Sequence, residues 1–324
     1  MKIASLYRYP IKGLSPEKLS SVQLTAGTGF PLDRKYALLR TEAAFDPAAP
    51  VWLPKANFVM LMLHEQVAAL QTGYSAQGDQ LRIRTPQGHA RTFALNDTTE
   101  RAALEQFFLE FLPKRLTAAP RLVEADGHQF TDKVQKYVSL INLASVRALE
   151  KRWGQALDPL RFRANIYIDG ATAFDELEWV GRTVKLGGVV ARVEQRNGRC
   201  AATNVNPQTG VRDRDVPGKL RAEFGHKDLG VYLRIAEPGL LCEGATVEIG
   251  ADGGARQKTP GDVAHAGGKA AQGLICSACY YLFDPRTLNA AWSGTQDLPD
   301  NWRCPDCGAG KEACVPASER RLRP

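Results

Sequence analysis

The segment "GVYLRIAEPGLLCEGATVEIG", residues 230–250, places apolar side chains at every second position from Val231 to Ile235. It breaks at Pro238-Gly239 and resumes through Val247 and Ile249. A period of two closed by Gly and Pro is the signature of short, half-buried strands joined by tight turns. The same pattern recurs in "KIASLYRYPIKG" (2–13), "KLSSVQLTAG" (18–27), "RKYALLRT" (34–41), "DQLRIRTPQG" (79–88), "ANIYIDG" (164–170), "TVKLGG" (183–188) and "VVARVEQR" (189–196). Two helices interrupt it. "DTTERAALEQFFLEFL" (97–112) opens with Asp97 three residues before Glu100, a capping-box pattern. "NLASVRALEKRWG" (142–154) has Asn142 as N-cap, apolar residues at 143, 146, 149 and 153, and Gly154 as its stop. The expected fold class is mainly β with α (α+β), with a breakpoint in the body near 120–130.

The chain has 324 residues, 44% of them hydrophobic, enough for two or three packed domains. Its longest strongly apolar run, "NFVMLML" (57–63), is far short of the ~20 residues that span a bilayer. The N-terminus has no signal-peptide pattern, so the expectation is a cytoplasmic protein away from the membrane. Four of the seven cysteines form two CxxC pairs. In a reducing compartment such pairs bind metal or carry redox chemistry. The net charge of +7 resides in residues 1–273, while residues 274–316 carry −2 and the tail 317–324 carries +2. A basic body with a slightly acidic appendage fits an anionic ligand or docking domains. No basic run has interleaved aromatic residues, which argues against a nucleic-acid partner.

Residues 250–273 hold Gly or Ala at 13 of 24 positions and show no apolar period. They read as a flexible linker with a span of roughly 27 Å. Beyond it, "CSAC" (276–279) and "CPDC" (304–307) are separated by 24 residues. Two such knuckles supply four thiolates in tetrahedral geometry, and a unit this small needs a metal to fold. Spacing alone favours a structural zinc ribbon.

The residues around the knuckles, "CSACYYLFDP" and "DLPDNWRCPDCGAGKEAC", resemble rubredoxin over the whole module. The resemblance implies one iron held by Cys276, Cys279, Cys304 and Cys307, with Tyr281, Phe283 and Trp302 in an aromatic core. Tyr280 stands where Gly is usual, the loop between the knuckles is short, and Cys314 stands where a core Phe is usual. These departures bear on the redox potential and leave zinc possible.

A lone cysteine lies in "RNGRCAATNVNP" (196–207), a turn-rich run with Arg196 and Arg199 beside Cys200. Two adjacent guanidinium groups would hold a thiol ionised, as a soft-metal ligand requires. Together with "YPIKG", "LDRKYALL", "FRANIYIDG" and the opening segment, this run makes residues 1–249 resemble the MOSC family, in its amidoxime-reducing branch. The resemblance implies domains over 1–125 (N-terminal β-barrel) and 126–249 (MOSC domain), followed by the linker 250–273, the rubredoxin-like module 274–316 and the basic tail 317–324. It implies a molybdenum cofactor (Mo-pterin) ligated by Cys200. The matching anchors are Lys12, Arg34, Arg163 and Asn165. Asn142, at a helix N-terminus, could also receive an anion. Thr203 and Asn206 would line the substrate side.

The expected activity is two-electron reduction of an N–O bond in a small N-hydroxylated substrate, with the iron centre relaying electrons. No GxGxxG follows a strand, so an NAD(P)H-dependent rubredoxin or ferredoxin reductase would be the source. Two rival readings are a carrier of molybdenum cofactor or persulfide sulfur on Cys200, and a non-enzymatic barrel scaffold with a zinc ribbon.

Overall fold

The structure, a computed structural model, describes residues 1–40, 43–252, 273–276, 282–283, 291, 293–304 and 309–316. An eight-stranded sheet organises the body. Its spatial order is Val247–Asp252, Arg182–Leu186, Val189–Gly198, Asp228–Glu237, Val138–Asn142, Ile166–Asp169, Lys2–Arg8 and Glu17–Leu19. All neighbours are antiparallel except Val138–Asn142 and Ile166–Asp169, which are parallel and joined by the crossover helix Leu143–Trp153. The sheet curls until its ends meet: Ile3 N–H donates to Ala245 O and Val247 N–H to Met1 O, both at 2.9 Å. Inside lie Ile3, Leu6, Leu140, Ile166, Val184, Val193, Val231 and Leu233. Val231 and Leu233 are alternate positions that the period-two pattern points inward, while in Lys2–Arg8 an irregularity after Ile3 moves the next inward residue to Leu6.

Gly230 sits where Asp228–Glu237 presses on Val138–Asn142. Its φ is +76°, and a Cβ there would lie 2.3 Å from the Leu140 carbonyl. Only glycine fits.

Two strand pairings cross the expected breakpoint near 120–130. Lys2–Arg8 pairs with Ile166–Asp169, and Ser21–Leu24 pairs with Gly239–Cys242. Lys2–Arg8 and Glu17–Leu19 thus belong to the eight-stranded sheet, and Ser21–Leu24 forms a separate two-stranded sheet with Gly239–Cys242. A second core, from Ile11 to Leu122, packs the hairpin strands Gln71–Ser75, Gln80–Arg84 and Ala90–Ala94 against α1 (Thr98–Phe111). Leu104 and Phe108, one turn apart on α1, are fully buried in it. The Asp97 carboxylate accepts from Glu100 N–H at 2.9 Å, as the capping pattern predicts. The crossover helix α2 (Leu143–Trp153) ends at Gly154 with φ +65°. A third helix, α3 (Val216–Phe224), was not expected; it packs with α2 outside the barrel through Val216 and Leu220.

The expected linker 250–273 starts later than its composition suggests, because Val247–Asp252 continues as a strand opposite Arg182–Leu186. Residues 253–272 and the tail 317–324 lie outside the described residues. The C-terminal module forms a three-stranded sheet with Leu274–Cys276 between Leu282–Phe283 and Cys314–Pro316. No helix among the described residues is long and apolar enough to cross a membrane.

Candidate functional site

Strand Val189–Gly198 carries the chain to Cys200. There the backbone turns: Thr203 N–H and the Thr203 hydroxyl both donate to the Cys200 carbonyl, at 3.0 and 2.8 Å. The single turn Ala201–Asn204 that follows presents Cys200, half-buried, at a cleft of about 450 Å³. The cleft lies between the two body cores and is lined by ten basic and three acidic side chains. Such a surplus of positive charge fits an anionic ligand.

Lys12, Arg34, Arg163, Asn165, Cys200 and Thr203 all line this cleft. They come from segments up to about 190 residues apart, and the fold brings them together. Arg34 and Arg163 both pack on the Tyr9 ring, their guanidinium carbons 4.6 and 4.2 Å from its centroid. Both have left-handed backbones, φ +50° and +52°. That conformation costs a non-glycine residue about 1–2 kcal/mol. Arg34 pairs with Asp33 and donates to Arg163 O at 3.2 Å. Arg163 Nη1 donates to Leu14 O at 2.8 Å, while its Nη2 is buried with no hydrogen-bond partner. Burial pushes the Arg163 pKa down to about 10, so it stays cationic at neutral pH. Lys12 is held by Phe130 O at 2.9 Å and by the Asp132 carboxylate. Burial opposes ionisation of Asp132, but Lys12 and Lys55 outweigh it and hold that carboxyl well below the usual range. Gly13, which follows Lys12, has φ +88° and a Cβ there would meet Val59 O at 3.0 Å, so a serine would be strained.

Three expectations are corrected by the geometry. Asn142 does not line the cleft. Its side chain accepts from Ala144 N–H at 3.0 Å and donates to Thr172 O and Glu176 at 2.7 and 3.2 Å. The helix N-terminus is thus already capped, and the buried Glu176 beside it would repel an anion. Asn206 is also turned away; it closes its own turn by accepting from Gln208 N–H at 2.9 Å and donates to Asp213 at 3.0 Å. Arg196 does not direct its guanidinium group at Cys200 as expected, whereas Arg199 has Cys200 among its electrostatic partners but gives its hydrogen bonds to carbonyls. Arg196 donates to Leu177 O and pairs with Glu178 at 2.6 Å. Arg199 is buried and donates to Leu229 O at 2.8 Å and Phe162 O at 3.0 Å, fastening the Cys200 loop to its neighbours. Asn165, although on the cleft wall, is engaged in the sheet through Ser139 and Tyr7 O.

Sequence reasoning missed Asn197, which is 5% exposed, lines the cleft, and has no side-chain hydrogen bond to a described residue. Alternation along the strand could not have found it, because register shifts between Val193 and Gln195 and between Arg196 and Gly198 break the period of two before it.

The far side of the Cys200 loop packs against the C-terminal module. Cys200, Ala201, Met60 and Met62 share one apolar cluster with Leu274, Cys276, Leu298, Trp302, Cys304 and Cys314. Two of the four expected knuckle ligands, Cys276 and Cys304, are buried in it, while Cys279 and Cys307 lie outside the described residues. Cys314 sits opposite Cys276 in the small sheet. Burial, with Cys276 and Cys304 beside it, pushes its thiol up to about 12. Trp302 belongs to this core as expected; Tyr281 lies outside the described residues, and Phe283 is described as strand backbone.

Three family models match: MOSC N-terminal beta barrel domain over residues 1–116, MOSC domain over 126–248, and rubredoxin over 273–314. The chain is a MOSC–rubredoxin fusion. Relatives of the MOSC–rubredoxin fusion include the molybdenum cofactor sulfurase of Drosophila yakuba, 33% identical over 122 residues, covering 35% of this chain and 15% of that protein. The Drosophila grimshawi protein of the same description is 33% identical over 132 residues, covering 40% and 17%. The fusion therefore spans about a sixth of their length. Among solved structures, YuaD from Bacillus subtilis is similar over 76% of this chain and 94% of that chain, at 12% identity and TM-score 0.37. YiiM from Geobacillus stearothermophilus covers 35% and 54%, at 22% identity and TM-score 0.29.

The residues present fit a phosphate-bearing pterin cofactor: a cationic cleft, a buried guanidinium nitrogen without a partner, and a thiol at the wall. Arg163→Ala is expected to lower molybdenum content about tenfold to a hundredfold, the worth of one charge-assisted bond. The apo-protein should lose only about 1–2 kcal/mol, from the bond to Leu14 O and the stacking on Tyr9. Metal analysis beside thermal unfolding of the apo form checks both. Equal molybdenum content in variant and wild type would remove Arg163 from the anchor set.

Proposed function

We propose that the fusion is a molybdenum-cofactor-dependent reductase of N-hydroxylated compounds, R–NHOH + 2 e⁻ + 2 H⁺ → R–NH₂ + H₂O, fed by its own rubredoxin iron. One observation carries this reading: Cys200 lines the cationic cleft and also packs in the same cluster as the knuckle cysteines Cys276 and Cys304. A one-electron centre against the loop that bears a metal-ligating thiol suits a redox enzyme. A protein that only hands on cofactor or sulfur has no use for it.

Lys12, Arg34 and Arg163 would hold the cofactor phosphate, and Asn197 would orient the polar pterin. Bound at the Cys200 sulfur, the molybdenum would supply a two-electron centre able to take the substrate oxygen. Thr203, whose hydroxyl is engaged by the Cys200 carbonyl, fixes the thiol's direction rather than meeting substrate. Asp132, held ionised by Lys12 and Lys55, keeps two cations in place at the cleft wall. An iron held by the knuckle cysteines would supply one electron at a time, so two deliveries would complete each turnover. An NAD(P)H-dependent rubredoxin or ferredoxin reductase would recharge it.

The similarity to molybdenum cofactor sulfurases favours a second reading, in which Cys200 carries persulfide sulfur to the cofactor. Anaerobic assay of the full chain with reduced viologen and a hydroxylamine-type substrate separates the two. Amine formation supports the reductase. No amine, with persulfide on Cys200, supports sulfur transfer.

A further inference from the structure

The turn at residues 60–63 is not part of the cofactor cleft's charge, yet it is tied to the Cys200 loop with unusual care. Arg212 spans the two. Its Nη1 donates to Ala201 O at 3.3 Å, and its Nη2 donates to Met62 O at 2.6 Å and Leu61 O at 3.4 Å. Glu65 holds Arg212 in place at 3.0 Å and is itself held by Arg115 at 3.1 Å. The turn is further fixed by Met60 N–H donating to His64 Nδ1 at 3.3 Å. Met60 and Met62 are each 5% exposed, and the side chains that cover them include Leu274, Leu298 and Trp302 of the rubredoxin module. Methionine side chains are soft and adaptable, which suits a surface that a tethered partner meets repeatedly.

We propose that Met60 and Met62 form the seat on which the rubredoxin module docks to deliver electrons, and that Arg212 is the positioning residue locking that seat to the Cys200 loop. The proposal rests on the reductase reading for its purpose, but not for its geometry. Each docking oxidises one Fe(II) of the module to Fe(III) and passes one electron to the Cys200 site. Two such events, with two protons from solvent, convert one R–NHOH to R–NH₂ and H₂O. The contact is apolar, so the docked state owes little to the charge difference between body and module, and salt should leave it intact.

The test uses the three methionines of the full chain, labelled with ¹³C at the methyl carbon. Met1 packs against the barrel core and serves as the internal control. With paramagnetic Fe(III) in the module, the Met60 and Met62 methyl signals should broaden beyond detection while Met1 stays sharp. With diamagnetic zinc in the same module all three should be visible. Sharp Met60 and Met62 signals in the iron form would overturn the seat. This readout is independent of turnover: lost signals without amine formation would leave the seat standing and remove the reductase reading, and amine formation with sharp signals would do the reverse. For Arg212→Ala, turnover through the enzymatic electron source should fall at least tenfold, viologen-driven turnover should stay within twofold, and Arg212→Lys should recover part of the loss. Equal loss by both routes, or no loss by either, would overturn the positioning role.

Discussion

Replacing Cys200 by alanine is expected to lower reduction of an N-hydroxylated substrate by well over a hundredfold, more than the roughly 10–100-fold that loss of an outer-shell group costs a metal site. The turn itself should survive. It is the Cys200 carbonyl, not the sulfur, that receives the Thr203 N–H and hydroxyl, and alanine keeps that carbonyl. The sulfur is half-buried, so its removal opens no large cavity. Iron in the rubredoxin module should be unchanged, because the knuckle cysteines are elsewhere in the sequence. Serine should be nearly as damaging, since a hydroxyl is a poor ligand for a soft metal. The measurement is turnover per bound molybdenum, alongside the iron absorption spectrum. Unchanged turnover in a molybdenum-replete Cys200→Ala protein would exclude the proposed role.

Deleting residues 274–324 should separate the two functions of the chain. The barrel and the Ile11–Leu122 core are complete without the module. The truncated protein should therefore still bind the cofactor and turn over with reduced viologen, which reaches the metal directly. With NADH or NADPH and a rubredoxin reductase its rate should drop to background, because no iron remains to relay electrons. The severed module added at micromolar concentration should restore only part of the rate, since the tether holds it at roughly millimolar. Equal rates for full-length and truncated protein with the enzymatic source would show that the module is not the donor, and would favour a structural zinc ribbon.

Local signals in the sequence were legible because local physics decides them. Asp97 and Asn142 cap their helices, Gly154 ends one, and the inward parity of Val231, Leu233 and Ile235 holds in the barrel. Lys12, Arg34, Arg163 and Cys200 were found through motif order and do converge on one cleft. What escaped is of two kinds. Val138–Asn142 is buried on both faces, so it shows no alternation to read. α3 did carry its signals, Asp215 as cap, Pro217 in the first turn and Gly225 at the end, but only nine residues of weak apolar period lie between them. The second kind is non-local. Nothing near Lys2–Arg8 says that it pairs with Ile166–Asp169, and nothing near Arg199 says that carbonyls of Leu229 and Phe162 will absorb its guanidinium. The same holds for the module, whose composition predicts a tethered unit but not the methionine turn on which it rests.

The most direct test of the account is the cofactor content of the full-length protein, purified from cells able to make the molybdenum cofactor. Elemental analysis with pterin fluorescence should give one molybdenum, one pterin and one iron per chain, with molybdenum and pterin both falling in Arg163→Ala. Zinc alone, with neither molybdenum nor pterin, would contradict it.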